Sequence, residues 1–248
     1  MRIIKDIDYV GAGHPMQKLD VYLPDTDSFD VYVHLHGGGL EIGSREFPED
    51  AAKEMTDSGV ALVSVEYRMY PTAVYPEFIR DSAAGVAWAY NNIGNYGKVN
   101  GFYVGGSSAG GYLSMMLCFD KKYLAPYGID PSTLNGFVHD AGQPTTHFNV
   151  MRERGLDSRR VVIDEAAPIY HIGTSPSYAP MLILVADRDM ENRYEQTMLT
   201  MSTLKHFGYD MSKVELKVMH ATHTAYYDEN GKHLYPSLVC DYIKSTKK

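Results

Sequence analysis

Apolar and polar positions along the chain follow two periods in turn, two residues in some stretches and 3.6 in others, and the switches between them mark out the elements. Residues 3–10 and 17–23 read as strands joined by the turn-rich Gly11-Ala12-Gly13-His14-Pro15, an opening hairpin. Val31 to His36 alternates strictly and then breaks into Gly37-Gly38-Gly39. A helical stretch from Glu49 to Asp57, closed by Gly59, leads into the continuous apolar strand Val60 to Val65. After a loop from Tyr67 to Pro76, a long helical pattern places Ala83, Val86, Ala87 and Tyr90 on one face. Strand 99–104 is followed by a helix from Tyr112 to Phe119, and Leu134 to His139 is a further strand. Met181 to Ala186 is the clearest buried strand. The helix behind it puts Tyr194, Met198, Met201 and Leu204 on one face and stops at Gly208. Val214, Leu216 and Val218 alternate in a last strand, and a final helix near Pro236 presents Val239, Tyr242 and Ile243.

Strands and helices thus alternate from about residue 30 onward. That order predicts an α/β fold with a mostly parallel sheet, an antiparallel N-terminal hairpin and helices on both faces. At 248 residues the chain suits one large core, so residues 1–248 are expected to form a single domain. Residues 141–180 keep no sustained period and predict an insertion of loops and short helices over the carboxyl edge of the sheet, as a lid.

Composition narrows the function. The net charge of −8 argues against nucleic acid or an anionic membrane as partner, since both reward a basic face. No apolar run reaches the roughly 18 residues needed to span a bilayer, and the charged start Met1-Arg2-Ile3-Ile4-Lys5-Asp6 lacks the apolar segment of a signal peptide; a cytoplasmic location is the expectation. The two cysteines, Cys118 and Cys240, fall on separate predicted helices without metal-binding spacing and read as buried thiols. His34 and His36 lack third and fourth ligands at a sensible spacing, so neither a metal nor any other cofactor is expected.

The candidate chemistry lies in Val99 to Leu113. Ser108 is the one serine of the stretch with glycine two residues away on both sides, in Gly106-Ser107-Ser108-Ala109-Gly110. This G-x-S-x-G pattern sits between a predicted strand and a predicted helix, the context of a nucleophile on a strained turn. No Gly-Lys-Ser/Thr follows, which excludes a phosphate loop. A serine hydroxyl needs a base and an orienting acid, arriving in the chain order Ser, Asp or Glu, His. Asp187 and Asp189 follow strand 181–186, and one of them is expected to cap the next helix. His220 shares the parity of Val214, Leu216 and Val218 and is expected to pack at the strand end. His223 lies further into the loop and is preferred as base. The glycines after His36 and the N–H of Ala109 are candidate oxyanion donors, with His36 as a brace for their loop.

His36-Gly37-Gly38-Gly39, followed some seventy residues later by Gly106-Ser107-Ser108-Ala109-Gly110-Gly111, resembles the hormone-sensitive-lipase-like branch of the α/β-hydrolase fold. Tyr67-Arg68-Met69-Tyr70-Pro71, Tyr75-Pro76 and Asp81 resemble that branch as well, and the similarity covers roughly residues 30–245. The resemblance implies Ser108 as nucleophile, Asp189 as acid and His223 as base, with Gly38, Gly39 and Ala109 forming the oxyanion hole. Two departures stand out: Ser107 occupies a position that is usually Asp, and the glycine loop arrives by residue 37 without a long preceding cap.

The expected function is therefore a serine carboxylesterase acting on short acyl esters through an acyl-enzyme, with a small-molecule ester as its partner and a small polar or sugar-like alcohol as one class of leaving group. An amide hydrolase of the arylformamidase type is the first alternative, which Leu40 after the glycines disfavours. A non-catalytic ligand-binding member of the fold is the second, and a homodimer is one assembly left open. Within 141–180, Gln143, Thr145, Thr146, His147 and Asn149 are expected to face a hydrated substrate.

Overall fold

The computed structural model describes residues 1–247; Lys248, the last residue of the predicted single domain, lies outside them. Eight strands form one sheet in the order β1-β2-β4-β3-β5-β6-β7-β8. β1 (Arg2–Asp8) and β2 (Lys18–Leu23) form the expected hairpin, and β2 also runs antiparallel to β4 (Val60–Val65). From there β3 (Ser28–Leu35), β5 (Lys98–Ser107), β6 (Gly136–Asp140), β7 (Met181–Arg188) and β8 (Val214–Thr222) run parallel. Parallel neighbours need crossovers, and the helices supply them on both faces. α2 (Glu77–Asn92), α3 (Ala109–Phe119) and α5 (Arg193–His206) cover one core, in which Val31, Val33 and Leu35 of β3 meet Phe78, Leu113 and Leu204. α1 (Glu49–Asp57) and α6 (Tyr235–Ser245) cover the other, with Tyr32, Leu62 and Leu184 against Met55, Val239 and Ile243. All strand carboxyl ends from β3 to β8 consequently open onto one edge, where ligands of such sheets bind.

Three expectations need correction. Tyr90, expected to share one face of α2 with Ala83, Val86 and Ala87, is 46% exposed, its ring meeting Phe102 of β5 edge-on. The buried face of α5 runs through Arg193, Gln196, Thr197, Thr200 and Leu204, whereas Tyr194, Met198 and Met201 are half-buried. Arg193 and Gln196 turn the helix this way by bonding Ala141 and Thr145 of the preceding insertion. On β8 the alternation fails after Leu216, leaving Val218 exposed, because an edge strand has a neighbour on one side only and Met219 and Ala221 pack toward α6 instead. Cys118 and Cys240 are free and buried, as expected. Among the described residues no helix is long and apolar enough to cross a membrane.

Candidate active site

Ser108 stands between the end of β5 and the start of α3 with φ 56° and ψ −114°, a conformation that L-residues rarely hold without support. The support comes from close packing that only glycine permits. A Cβ on Gly110 would lie 1.8 Å from the Leu35 carbonyl oxygen, and one on Gly106 would lie 2.4 Å from the same oxygen. The Ser108 N–H donates to the Asp140 carbonyl at 2.8 Å, which ties the turn to the end of β6.

The loops after β7 and β8 bring two side chains to this serine. His223 Nε2 is 2.8 Å from Ser108 Oγ, and His223 Nδ1 is 2.6 Å from Asp189 Oδ1. The Asp189 side chain is wholly buried and also accepts from the N–H groups of Met190 and Ala186, at 2.7 and 3.2 Å. Burial would push its carboxyl up, but the His223 bond and the two backbone donors outweigh it and hold the group below the usual carboxylate range. With the carboxylate bonded to Nδ1, the imidazole presents Nε2 to the serine as an acceptor. The ladder between β7 and β8 shifts register between Ala186 and Arg188, an irregularity that re-aims the loop carrying both aspartates.

The neighbouring pair is arranged differently from the sequence expectation. His220 bonds Asp187 at 2.5 Å, yet its side chain is 84% exposed rather than packed, because the tip of the edge strand projects beyond its cover. Neither aspartate caps α5. Asn192 takes the cap position at φ 62°, without a side-chain capping bond.

The glycine loop lies against the serine: a Cβ on Gly37 would sit 3.3 Å from Ser108 Cβ. Gly38 and Gly39 have φ of 113° and 66°, and a Cβ on Gly38 would fall 1.9 Å from the Ile42 carbonyl oxygen. The N–H groups of Gly38, Gly39 and Ala109 have no protein acceptor among the described residues, which leaves them available as donors. His36 braces the loop as expected. Its Nε2 meets Glu66 Oε1 at 2.8 Å, Nδ1 approaches the Gly37 carbonyl at 2.7 Å, and the ring stacks on Tyr67 at 4.3 Å. Among the described residues no cluster of His, Cys, Asp or Glu could hold a metal ion.

Residues 141–180 reach the same loop through α4 (Phe148–Glu153). The Phe148 ring would be 3.1 Å from a Cβ on Gly39, and Asn149 Nδ2 donates to the Gly39 carbonyl at 3.1 Å. The polar residues expected to face substrate are buried instead. Thr146 bonds Asp164, Thr145 bonds Gln196, His147 Nδ1 accepts from the Asn149 N–H, and Gln143 Nε2 holds the Thr146 carbonyl. They satisfy a folded segment rather than a ligand, although Gln143 also borders a cavity of about 650 Å³ with Phe148, Met190 and Arg193. A second cavity, about 1020 Å³, lies between α1 and the loop before α6 and reaches Ser107 and His34. Only the first is lined by neighbours of both Asp189 and the glycine loop.

Sequence reasoning passed over Glu66, Phe148 and Arg193, and gave Asn149 a substrate-facing role where it bonds the Gly39 carbonyl. A signal existed for Arg193, since a cation in the first turn of a helix opposes the helix dipole and calls for a reason.

A mostly parallel eight-stranded sheet with a serine on the turn after β5 and an Asp-His pair from the loops after β7 and β8 defines an α/β-hydrolase. The profile of the prolyl oligopeptidase family matches residues 77–246, more than half of the sequence, and that of BD-FAE matches residues 19–125. The chain belongs to the prolyl oligopeptidase family. Among curated relatives, it is 29% identical to Esterase LipC of Mycobacterium tuberculosis over 73% of this chain and 50% of that protein. It is 35% identical to kynurenine formamidase of Salmo salar over 49% of this chain and 40% of that one. The chain thus spans half or less of the length of the curated relatives it matches. A truncated carbohydrate esterase from gut microbiota superposes with a TM-score of 0.76 over 100% of this chain and 97% of the other, at 15% identity, and shares its fold. The resemblance to hormone-sensitive-lipase-like esterases read from the two glycine motifs agrees with these matches.

Proposed function

We propose that the protein is a serine carboxylesterase in which Ser108 attacks the ester carbonyl, His223 takes its proton and returns it to the leaving alcohol, and Asp189 orients the imidazole. The observation that carries this reading is the continuous hydrogen-bonded line from Ser108 Oγ through His223 to the buried Asp189. The acyl-enzyme formed in the first step is released by water through the same base. Gly38, Gly39 and Ala109 supply N–H donors to the oxyanion of both tetrahedral intermediates. Residues 141–180 act as the lid, with Phe148 against the glycine loop limiting the room for an acyl chain.

The intact three-residue line weighs against a purely ligand-binding role. Amide hydrolysis is a second reading, favoured by the match to a formamidase. Steady-state rates on p-nitrophenyl esters of increasing chain length, beside an N-formyl arylamine, test both. Fast turnover of acetyl or butyryl esters with little formamide cleavage supports the esterase; the reverse order selects the amidase.

A further inference from the structure

The 650 Å³ cavity beside the candidate triad has a polar lining that ester hydrolysis alone does not explain. Arg193 opens α5 and is 4% exposed, yet it borders this cavity. Its guanidinium donates to the Ala141 carbonyl, and among the described residues it forms no ion pair with a carboxylate. A guanidinium offers five N–H donors in a planar fork, so one carbonyl leaves most of that capacity unused. Burying an unpaired charge is costly, and the positive end of the helix on which Arg193 sits adds to the cost. Asp189 is near enough for its charge to favour the arginine, but its oxygens are already engaged by His223, Met190 and Ala186.

The surroundings share the same sign. Arg159 and Arg160 border the cavity opposite a single acid, Glu191, and Arg159 is itself paired with Asp157. In a chain of net charge −8 this is a local reversal. The cavity is lined by residues next to the candidate site. Phe148 borders it and touches the glycine loop, and Met190 follows Asp189 directly. The Ala141 carbonyl held by Arg193 is one peptide from the Asp140 carbonyl that holds the Ser108 N–H.

We propose that Arg193, with Arg160 at the rim, forms a carboxylate-binding subsite, and that the preferred substrates are small esters bearing a second, free carboxylate. The inference rests on Ser108 being the nucleophile of an esterase. The free carboxylate can belong to the acyl part, as in a half-ester of a short dicarboxylic acid, or to the alcohol part, as in an acylated hydroxy acid.

The test compares charged and neutral esters of matched shape, following acid release at constant pH. One pair is monomethyl glutarate and methyl 5-amino-5-oxopentanoate; the other is O-acetylglycolate and O-acetylglycolamide. Wild-type protein is expected to favour the charged member of one pair by roughly 10- to 100-fold in kcat/KM, the range for a charge-assisted bidentate contact. The pair that responds identifies the side of the ester that the subsite reads. Arg193→Gln, which keeps a donor for Ala141, should bring that ratio near one, and Arg193→Lys should restore part of it. Calorimetry on wild-type protein should detect glutarate binding that weakens with salt, and none of glutaramide. Equal rates within both pairs and no glutarate binding overturn the proposal. So does an unchanged ratio in an Arg193→Gln protein that still takes a fluorophosphonate label. If Arg193→Gln fails to fold, the wild-type ratios and calorimetry decide. Failure of the esterase reading would show separately, as absence of Ser108 labelling and of hydrolysis of every ester, and glutarate calorimetry would still decide the subsite.

Discussion

His223 Nε2 lies 2.8 Å from Ser108 Oγ although 115 residues separate the two in sequence. The contact depends on β5 and β8 ending at the same edge with β6 and β7 between them, so the loop after β8 must reach back across two strand tips. Such a reach is held by the sheet and by Asp189 beneath the imidazole, and it sets up the first expectation.

Ser108→Ala should abolish both fluorophosphonate labelling and ester hydrolysis. Ser107→Ala should retain most of each, because Ser107 borders the cavity under α1 rather than the one lined by Phe148 and Met190. Intact-mass spectrometry after labelling checks this, and a labelled Ser108→Ala protein would move the nucleophile elsewhere.

The acid should be Asp189. Asp189→Asn leaves the imidazole without its orienting charge and should lower kcat by about 10⁴, whereas Asp187→Asn at the exposed rim should cost less than tenfold. His223→Ala should be as damaging as Asp189→Asn, and His220→Ala mild. The pH dependence has a definite sign. Asp189 is held below its ordinary value, so its contribution to stability is present above the ordinary carboxylate range and is lost as pH falls through the depressed value. Thermal unfolding of wild-type and Asp189→Asn proteins should therefore converge only in strong acid.

How far these residues could be read from sequence depended on what fixes each one. The glycines at 38, 106 and 110 were legible because the backbone there approaches another backbone too closely for any Cβ. The approach of His223 to Ser108 was legible from its place in the loop beyond the last strand and not from strand parity, which wrongly had His220 packed, and choosing Asp189 over Asp187 required the family resemblance. α1 and β4 agree to the residue with their predicted bounds, since α1 is a single amphipathic run and β4 an apolar one broken only by Ser64, each between clear stops. The polar stretch from Gln143 to Asn149 was misjudged because burial there is conferred by distant partners. Thr145 meets Gln196, Thr146 meets Asp164, and Asn149 meets Gly39; no local pattern encodes those pairings. The exposure of His220 follows from β8 being the edge strand, which is a property of the assembled sheet.

Asp140 should give stability a slope of the opposite sign. It is wholly buried, with one carboxyl oxygen accepting from the Tyr226 hydroxyl at 2.8 Å and the other without a hydrogen-bond partner among the described residues. Burial raises its pKa to about 6, against the lowering effects of Ser107, Tyr226 and His223. The native state therefore holds this proton more tightly than the unfolded chain, and stability falls as pH rises from about 4 to about 6. The full cost is about 3 kcal/mol and persists at higher pH. Asp140→Asn keeps an acceptor for Tyr226 and should flatten that part of the profile in denaturant unfolding measured from pH 4 to 8.

Gly38→Ala should remove activity more completely than any change to the lid. The added Cβ would lie 1.9 Å from the Ile42 carbonyl oxygen, at a φ that alanine resists, so the loop must move. Displacing one oxyanion donor costs about 10²- to 10³-fold in kcat. Comparison of kcat with KM on a p-nitrophenyl ester checks this, because a loss confined to KM would place the donor outside the transition state.

Phe148 should set the acyl-chain limit. Its ring lies against Gly39, borders the 650 Å³ cavity and is covered by the Arg152 guanidinium, whose central carbon is 5.4 Å from the ring centre. An acyl chain carried on Ser108 Oγ and directed toward that cavity must pass the ring, so each added methylene beyond a short chain competes with it for space. Phe148→Ala removes the obstruction while leaving the Asn149 bond to the Gly39 carbonyl in place. Wild-type kcat/KM should fall from butyryl to octanoyl p-nitrophenyl esters, and in Phe148→Ala the octanoyl ester should gain roughly tenfold relative to butyryl, about what two buried methylenes supply. A wild-type profile already favouring long chains, or one that Phe148→Ala leaves unaltered, would mean that residues 141–180 do not close over the acyl path.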